Sequence, residues 1–334
     1  MSKTLAALAF TLTTQLAVAA PGSIADLPEA AAFANDLAQR QGFDASSLLE
    51  QFSAIRTNER VLQLIAPPTS PTQRSWERYR PRFVNAQRIA GGVRFWQDNA
   101  LTLARARALY GVPEEVIVAI IGVETVYGSN TGGFGVLEAL ATLAFQYPRR
   151  AEFFRSELEQ FLLMTRENGL DPLAVKGSFA GAIGIPQFMP GSQRRYAVDF
   201  DGDQRVDLSN SVADAIGSVA RFLEQHGWQP GQPVAVPARL PGAPDQSLLD
   251  AGIRPSLRVA DLFERGIVAT AAPESTVTLV DLVSPGQATE YWLGFENFYV
   301  ITRYNRSSFY AMSVFQLAEE IRRAMPPAIR EAMR

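Results

Sequence analysis

The sequence contains no cysteine and only one histidine, His226, and this scarcity excludes several kinds of chemistry. Without cysteine there are no disulfides, no thiolate metal ligands, no cysteine nucleophile and no N-terminal lipid anchor on cysteine. A single histidine argues against a histidine-rich metal site and against a Ser-His-Asp triad. The net charge of −3 gives no general basic field, so nucleic acid is not expected as a partner.

The sequence also lacks an apolar run long enough to span a bilayer as a helix. Lys3, a short apolar stretch at 5–16 and the small residues at 17–19 are typical of a cleaved export signal over residues 1–19. We therefore expect a soluble, exported, periplasmic protein with no transmembrane segment and no lipid anchor. An uncleaved N-terminal anchor is the alternative interpretation. The hydrophobic fraction of 47% in 334 residues indicates a folded globular protein.

One acid, Glu124, stands in an otherwise apolar helical pattern. Residues 113–128 predict a short helix that starts at Pro113 and stops at Gly128. Three isoleucines share a face with Glu124 at helical spacing, so the acid points toward the interior. A buried carboxyl without a cationic partner has a raised pKa, which suits protonation of a leaving group. The alternative is a structural glutamate satisfied by a buried arginine or by backbone donors.

The rest of the pattern predicts a mainly α protein with a small β-containing part. Helical spacing and end signals predict helices at residues 28–40, 44–52, 136–145, 148–168 and 310–324. In the aromatic-rich stretch 72–110, Pro81 and the pair Gly91-Gly92 are expected to interrupt the helices. Residues 229–290 are richer in proline and glycine and contain short β-prone pieces, which predicts a small inserted β-rich subdomain.

Several polar side chains are candidates for a binding groove. The stretch 177–191 is rich in glycine and alanine, which implies close approach to another element or to an extended ligand. Ser178 and Gln187 are its side chains available for hydrogen bonds. Tyr79 is either a core aromatic or a groove residue.

Two more features leave alternatives open. The adjacent arginines at 149 and 150 are either a solvated helix end or a contact for an anionic substrate group. His226, near the end of a predicted helix, is expected to be a cap that complements the helix dipole rather than a catalyst.

An acidic stretch predicts a calcium loop. Asp199, Asp201 and Asp203 match positions one, three and five of an EF-hand loop, and Arg205 would supply the carbonyl at position seven. Two departures are visible, because Gln204 replaces the expected glycine and Asn210 replaces the bidentate glutamate. Asp214 could close the site instead. The alternative is an acidic turn without a metal.

Five segments in one order closely resemble the bacterial lytic murein transglycosylase B family: 122–125 (GVET), 181–190 (GAIGIPQFMP), 197–203 (AVDFDGD), 214–219 (DAIGSV) and 301–305 (ITRYN). The resemblance implies a mainly α (α+β) fold, a lysozyme-like helical core with an additional helical domain and a small inserted β-containing subdomain. The expected organisation is residues 1–19 signal peptide, 20–71 N-terminal helical segment, 72–228 catalytic core, 229–290 β-rich subdomain and 291–334 a return to the core.

The resemblance implies non-hydrolytic cleavage of the β-1,4 bond between N-acetylmuramic acid and N-acetylglucosamine, which leaves 1,6-anhydromuramic acid ends. The expected partners are peptidoglycan glycan strands, the chemistry needs no cofactor, and calcium would be structural. Two rivals remain open, a lysozyme-type hydrolase and a non-catalytic peptidoglycan-binding scaffold.

The resemblance also assigns site residues by motif. Glu124 matches the catalytic acid, and Ser178 and Gln187 match groove residues near the cleaved sugar. The other matching cleft positions are Tyr79, Arg149, Arg150, Tyr304, Asn305 and Tyr310. The calcium positions are Asp199, Asp201, Asp203, Arg205 and Asp214. One departure is Phe222, which stands where the family often has a cleft tyrosine.

Overall fold

The structure, a computed structural model, describes residues 22–67 and 74–326. These residues belong to two compact units, one ending at Thr57 and the other beginning at Asn58. The predicted export signal at residues 1–19 lies outside the described residues. Within the described part, every helix is too short or too polar to cross a membrane.

The first unit is a pair of helices after a short 3₁₀ turn. The helices are α1 (Pro28–Gln41) and α2 (Ala45–Ser53). Gly42 ends α1 with φ of 66°, a conformation that glycine adopts without steric cost. The Asp44 carboxylate accepts hydrogen bonds from the backbone N–H groups of Ser46 and Ser47 and so caps α2. Both predicted helices are confirmed here.

The second unit contains the helical core, which surrounds an almost fully buried helix, α7 (Glu114–Thr125). Its helices are α3 (Glu59–Ile65), α4 (Trp76–Tyr79), α5 (Ala86–Asp98), α6 (Ala100–Tyr110), α7 (Glu114–Thr125), α8 (Val136–Gln146), α9 (Ala151–Glu167), α10 (Pro190–Tyr196), α11 (Val212–Gln225), α12 (Gln246–Asp250), α13 (Val259–Glu264), α14 (Glu296–Tyr304) and α15 (Ser308–Ala324). α5, α6, α11 and α15 pack around α7. A helix that is apolar on nearly all sides needs such a surround.

Two small sheets complete this unit. β1 (Phe134–Gly135) pairs with β2 (Lys176–Gly177) next to the start of α8. β3 (Ala235–Arg239), β4 (Leu257–Arg258), β5 (Val268–Ala269), β6 (Thr276–Leu282) and β7 (Glu290–Gly294) form an antiparallel sheet in the order β4-β6-β7-β3-β5. Because β7 pairs with both β3 and β6, the sheet extends past residue 290, where the predicted β-rich subdomain ends.

The predicted helix interruption at Gly91-Gly92 is wrong, because both glycines lie inside α5. Their role is to make room for a neighbouring side chain. A Cβ built on Gly91 would lie 2.8 Å from the ring of Tyr127, and one on Gly92 would lie 2.7 Å from the Tyr127 hydroxyl. The glycines therefore mark close packing on Tyr127 and not a break in the helix. Pro81 does fall at an interruption, in a 3₁₀ turn between α4 and α5.

Candidate active site

Glu124 lies in the last turn of α7 and is partly exposed, whereas residues 116–123 before it on the helix are buried. Burial of the carboxyl group raises its pKa to about 7. The Tyr310 hydroxyl donates a 2.6 Å hydrogen bond to Oε1 of Glu124, which partly offsets that rise because it favours the carboxylate. With a pKa near 7, the group has both its acid and its base form available at neutral pH.

Three tyrosines surround this carboxyl group. The rings of Tyr304 and Tyr310 stack with 6.4 Å between centroids, and the Tyr304 hydroxyl donates a 2.5 Å hydrogen bond to the carbonyl of Pro186. Burial, and after it the charge of Glu124, raises the pKa of Tyr79, Tyr304 and Tyr310. All three therefore remain protonated at neutral pH and can donate hydrogen bonds beside Glu124.

The chain reverses sharply after Glu124, in a conformation that its residues do not favour. The predicted stop at Gly128 is wrong, because α7 ends at Thr125 and Val126 follows with φ of 52°. A β-branched residue at positive φ is strained and needs strong support from its surroundings. The Thr125 hydroxyl provides part of it, since Oγ1 donates to the carbonyl of Ile185 at 2.7 Å and accepts from the N–H of Gly128.

Tyr127 is the second support of this turn. It also has a positive φ, 61°, and its hydroxyl donates a 2.6 Å hydrogen bond to the carbonyl of Arg88 in α5. Its ring lies against Gly122, where an added Cβ would come within 2.5 Å of the hydroxyl. Nε of Arg88 in turn donates to the carbonyl of Gly122. α5, Tyr127 and α7 thus hold the Glu124 backbone in one position.

Ser178 and Gln187 lie in the glycine-rich stretch, as predicted, and each already makes a structural hydrogen bond. Oγ of Ser178 accepts from the N–H of Ala182, and Nε2 of Gln187 donates to the carbonyls of Thr131 and Gly184. Gln187 has φ of 50°, so its backbone is also held in an unusual conformation. Both side chains are partly exposed, and a ligand can approach them.

The other predicted cleft residues lie at the surface. Arg149 and Arg150 are exposed in a 3₁₀ turn before α9, and the guanidinium of Arg150 lies over the ring of Phe153 at 4.2 Å. Asn305 is exposed just after α14. Within the described residues, none of the three predicted cleft residues hydrogen-bonds to Glu124. Their contact with a substrate remains a prediction.

Phe222 belongs to the core and supports Tyr304 from the inside. It is 5% exposed, and its ring centroid lies 4.9 Å from that of Tyr304 and 4.1 Å from that of His226. His226 follows the last residue of α11, and its Nδ1 donates a 2.7 Å hydrogen bond to the carbonyl of Phe222. His226 therefore caps the helix end by a hydrogen bond. Burial lowers the pKa of His226 and favours its neutral form, so the predicted complement to the helix dipole by charge is wrong.

The acidic loop brings three of the five predicted calcium residues together. Carboxylate oxygens of Asp199, Asp201 and Asp203 lie within 4.8 Å of one another. The loop is ordered by its own backbone, because the N–H groups of Gly202 and Gln204 donate to Asp199 at 2.7 and 2.8 Å. Three close carboxylates repel one another unless a cation or hydrogen-bond donors compensate their charge.

Asp214 does not join that group of acids. It is 1% exposed, and its two oxygens accept hydrogen bonds from the N–H groups of Phe200 and Asp207 at 2.7 and 2.8 Å. Its role is to join the loop to the start of α11. The N–H of Arg205 donates to the Asp203 carboxylate, and the predicted use of the Arg205 carbonyl as a ligand stays a prediction.

Comparison with known proteins agrees with this arrangement. The transglycosylase SLT domain family matches residues 26–319. The chain belongs to the transglycosylase SLT family. Membrane-bound lytic murein transglycosylase B of Escherichia coli is 42% identical over 315 residues, which cover 90% of this chain and 84% of that protein.

Two solved transglycosylase structures are also similar. The soluble lytic transglycosylase SltB1 from Pseudomonas aeruginosa is 46% identical with a TM-score of 0.82, over 89% of this chain and 99% of that one. The Escherichia coli lytic transglycosylase Slt35 in complex with calcium is 41% identical with a TM-score of 0.82, over 94% and 99%. The predicted family, the lysozyme-like mainly α fold and the assignment as a lytic murein transglycosylase enzyme are confirmed.

Sequence reasoning missed the residues that support Glu124 in this transglycosylase. Thr125 and Tyr127 are its close neighbours in sequence, and Arg88 is distant. A usable signal existed for Thr125, because a hydroxyl buried at the end of an apolar helix needs a hydrogen-bond partner. No local signal connects Tyr127 with Arg88 and Gly122, since that contact depends on how α5 packs against α7.

Proposed function

We propose that Glu124 acts as both acid and base when this chain cleaves the β-1,4 bond between N-acetylmuramic acid and N-acetylglucosamine in peptidoglycan. The environment of Glu124 carries the assignment. Glu124 is partly exposed at the end of a buried helix, its pKa is about 7, and the Tyr310 hydroxyl donates a hydrogen bond to it. A group that must first give and then take a proton works best with a pKa near the working pH.

In the first step, protonated Glu124 transfers its proton to the glycosidic oxygen, and the bond from that oxygen to the muramic anomeric carbon breaks. The 2-acetamido oxygen of the muramic residue stabilises the positive charge that develops at the anomeric carbon. The hydroxyl of Tyr310 donates to the Glu124 carboxylate that forms at this point, and so stabilises it.

In the second step, the Glu124 carboxylate removes the proton of the muramic 6-hydroxyl, and that oxygen attacks the anomeric carbon. The C1–O6 bond forms, the 1,6-anhydro ring closes, and Glu124 is protonated again. No water is consumed, because one proton moves from O6 to the leaving oxygen by way of Glu124.

The surroundings of Glu124 favour this one-acid route over the two-carboxylate route of most glycosidases. Among the described residues, the causes of its pKa shift are burial and Tyr310, with no contribution from a second carboxyl group. A nucleophilic or basic carboxylate roughly 5–10 Å away, as ordinary glycosidases use, would raise the pKa of Glu124 further through charge repulsion.

We also propose substrate contacts for the predicted groove residues. Ser178 and Gln187 would hold the sugar next to the cleaved bond, and the hydroxyl of Tyr79 would donate to the glycan. Arg149, Arg150 and Asn305 would contact the strand or its substituents further from Glu124. This proposal is supported by the exposure of their side chains and by the resemblance to the family.

The test is mass spectrometry of the products that the mature protein releases from purified peptidoglycan. We expect ends in 1,6-anhydromuramic acid, which are lighter by one water than the reducing ends made by a hydrolase. The Glu124→Gln variant keeps nearly the same shape and should lose turnover by roughly a hundredfold or more, with glycan binding retained. Reducing ends from the wild type, or near wild-type turnover in the variant, would reject the assignment.

A structural calcium ion at Asp199, Asp201 and Asp203 is the second part of the proposal. The three carboxylates supply the hard oxygen atoms that calcium prefers. Gln204 has φ of 72°, at the loop position where an EF-hand requires a sharp turn and usually has glycine. The ion would hold the loop and would take no part in proton transfer.

We propose that the protein acts in the periplasm, after export directed by residues 1–19. We also propose the domain order predicted from the sequence, in which a small β-rich subdomain is inserted at residues 229–290. Fusion of the full chain to a reporter that folds only outside the cytoplasm tests export. Loss of reporter signal on deletion of residues 2–19 is expected, and retention of it would reject this location.

A further inference from the structure

Two neighbouring cavities in the second unit are lined by arginine. The first, of about 720 Å³, lies between residues 251–254 and the turn from α14 to α15, and the second, of about 480 Å³, lies beside α4. Arg74 and Ser307 line both, so the cavities share a rim. We call them together the basic groove, and its arginines are Arg74, Arg78, Arg82, Arg254, Arg303 and Arg306.

The positive charge of the basic groove is largely uncompensated. In the part of the chain that the structure describes, Arg74 is the one groove arginine with a carboxylate within 4.0 Å, that of Asp281. The guanidinium groups of Arg254 and Arg303 approach the ring of Tyr299 instead, each at 5.9 Å. Six such side chains in a protein of net charge −3 favour an anionic ligand.

The start of α15 adds to this preference. Ser307 caps this 17-residue helix, and the first N–H groups of a helix carry partial positive charge. Ser307 and Ser308 both line the first cavity, so hydroxyl groups stand beside the guanidinium groups there. Guanidinium groups bind planar carboxylates through paired hydrogen bonds.

The basic groove lies beside the residues that surround Glu124. Tyr79 and Phe309 line the second cavity, and their rings pack at 5.5 Å between centroids. The residue after Phe309 is Tyr310, which donates to Glu124. The charges of Glu124 and of the groove residue Arg82 both act on the pKa of Tyr79, so Tyr79 lies near both. A substituent on a sugar bound at Glu124 would reach the groove past Tyr79.

We propose that the basic groove binds the free carboxylates of the peptide stems carried by muramic residues, and so favours strands with anionic stems. This inference rests on the proposed function, because it requires a peptidoglycan strand at Glu124. The stem is the anionic part of such a strand, since the sugars themselves are uncharged and the lactyl carboxyl is bound in an amide. The guanidinium groups supply the matching charge.

The experiment compares two soluble substrates that differ in stem charge alone. Glycan strands with free stem carboxylates are one, and the same strands with those carboxylates converted to carboxamides are the other. The wild type should have a KM about tenfold lower for the free-carboxylate strands, and added salt should reduce this ratio. In the double variant Arg254→Gln/Arg306→Gln the ratio should fall close to one. Arg258→Gln, an exposed arginine outside the groove, should keep the wild-type ratio.

Equal KM values of the wild type for the two substrates would overturn the proposal, and so would a double variant that keeps the wild-type ratio. If the double variant does not fold, binding calorimetry of stem peptides on the wild type tests the proposal instead. A stem tripeptide with free carboxylates should bind and its carboxamide form should not, and equal binding of the two would overturn the proposal. Anhydromuramic products from the carboxamide strands test the proposed function separately.

Discussion

At the scale of single residues, the proposed chemistry depends on the carboxyl group of Glu124 and on the hydroxyl of Tyr310 that donates to it. A lone glutamate among isoleucines on one helix face is sufficient to predict burial and a raised pKa, and the structure has Glu124 with a pKa of about 7. The hydrogen bond that holds it comes from Tyr310, 186 positions away. Helical periodicity contains no information about such a distant contact, and it is the resemblance to the family that points to Tyr310.

The hydroxyl of Tyr310 gives a test of this control. In Tyr310→Phe the pKa of Glu124 should rise further, because the lost hydrogen bond favours the carboxylate. A general acid is active while protonated, so the alkaline fall of kcat should move to higher pH. The value of kcat at its optimum should drop by roughly tenfold or more, since the carboxylate formed in the first step loses a charge-assisted donor.

The measurement is the pH profile of anhydromuramic product formation for both proteins. Tyr291→Phe, in strand β7, is a matched control that should leave the profile where it is. A profile of Tyr310→Phe that coincides with the wild type would show that Glu124 does not depend on this hydroxyl.

At the scale of elements, most helices follow from local patterns, and the end of α7 does not. Capping and periodicity predict α1, α2, α8 and α15 to within two residues. At the end of α7, local preference favours a stop at Gly128, but the chain turns two residues earlier, at Val126. The tertiary hydrogen bonds of Thr125 and Tyr127 stabilise positive φ angles at Val126 and Tyr127, which the intrinsic preferences of these residues disfavour.

Substitution of Gly122 should disturb this turn without touching Glu124. In Gly122→Ala the new Cβ would meet the Tyr127 hydroxyl at about 2.5 Å, so the ring must shift and its hydrogen bond to Arg88 must weaken. We expect a loss of about 1–3 kcal/mol in the free energy of unfolding and a fall in kcat.

Thermal unfolding and turnover of Gly122→Ala measure both effects. Gly242→Ala is the control, because nothing lies within 4 Å of a Cβ at Gly242 and its φ is not positive. A variant with wild-type stability and wild-type kcat would contradict the role given to the packing of Tyr127 on Gly122.

At the scale of the whole molecule, the fold brings together residues from distant positions, and the overall composition does not reveal this. A net charge of −3 argues against a basic surface, yet arginines from positions 74, 254 and 306 meet around one pair of cavities. The five-stranded sheet is a second example. β7 pairs with β3, which lies more than fifty residues earlier in the sequence, so the sheet extends past the predicted subdomain border at residue 290. Both features depend on contacts between distant segments, which local patterns do not contain.

The calcium loop should affect the stability of the second unit as a whole, because one of its residues, Phe200, is anchored in that unit's core. Phe200 is buried in the core, and the guanidinium of Arg105 lies 3.9 Å from its ring centroid. The N–H of Phe200 donates to Asp214. An ion held by the folded loop and not by the unfolded chain stabilises the fold by about 2.7 kcal/mol at a hundred times its Kd, or several degrees in Tm.

Calorimetry of the metal-free protein, with calcium added or with a chelator present, measures this shift. Asp201→Asn should abolish the dependence of Tm on calcium, since it removes a charge from the three clustered carboxylates while keeping the side-chain shape. Asp98→Asn, an exposed acid at the end of α5, should retain the full dependence. Because Phe200 connects the loop to the core, calcium should shift one cooperative transition of that unit. A Tm that is the same with calcium and with chelator would mean that the hydrogen bonds of the loop alone balance its three acids.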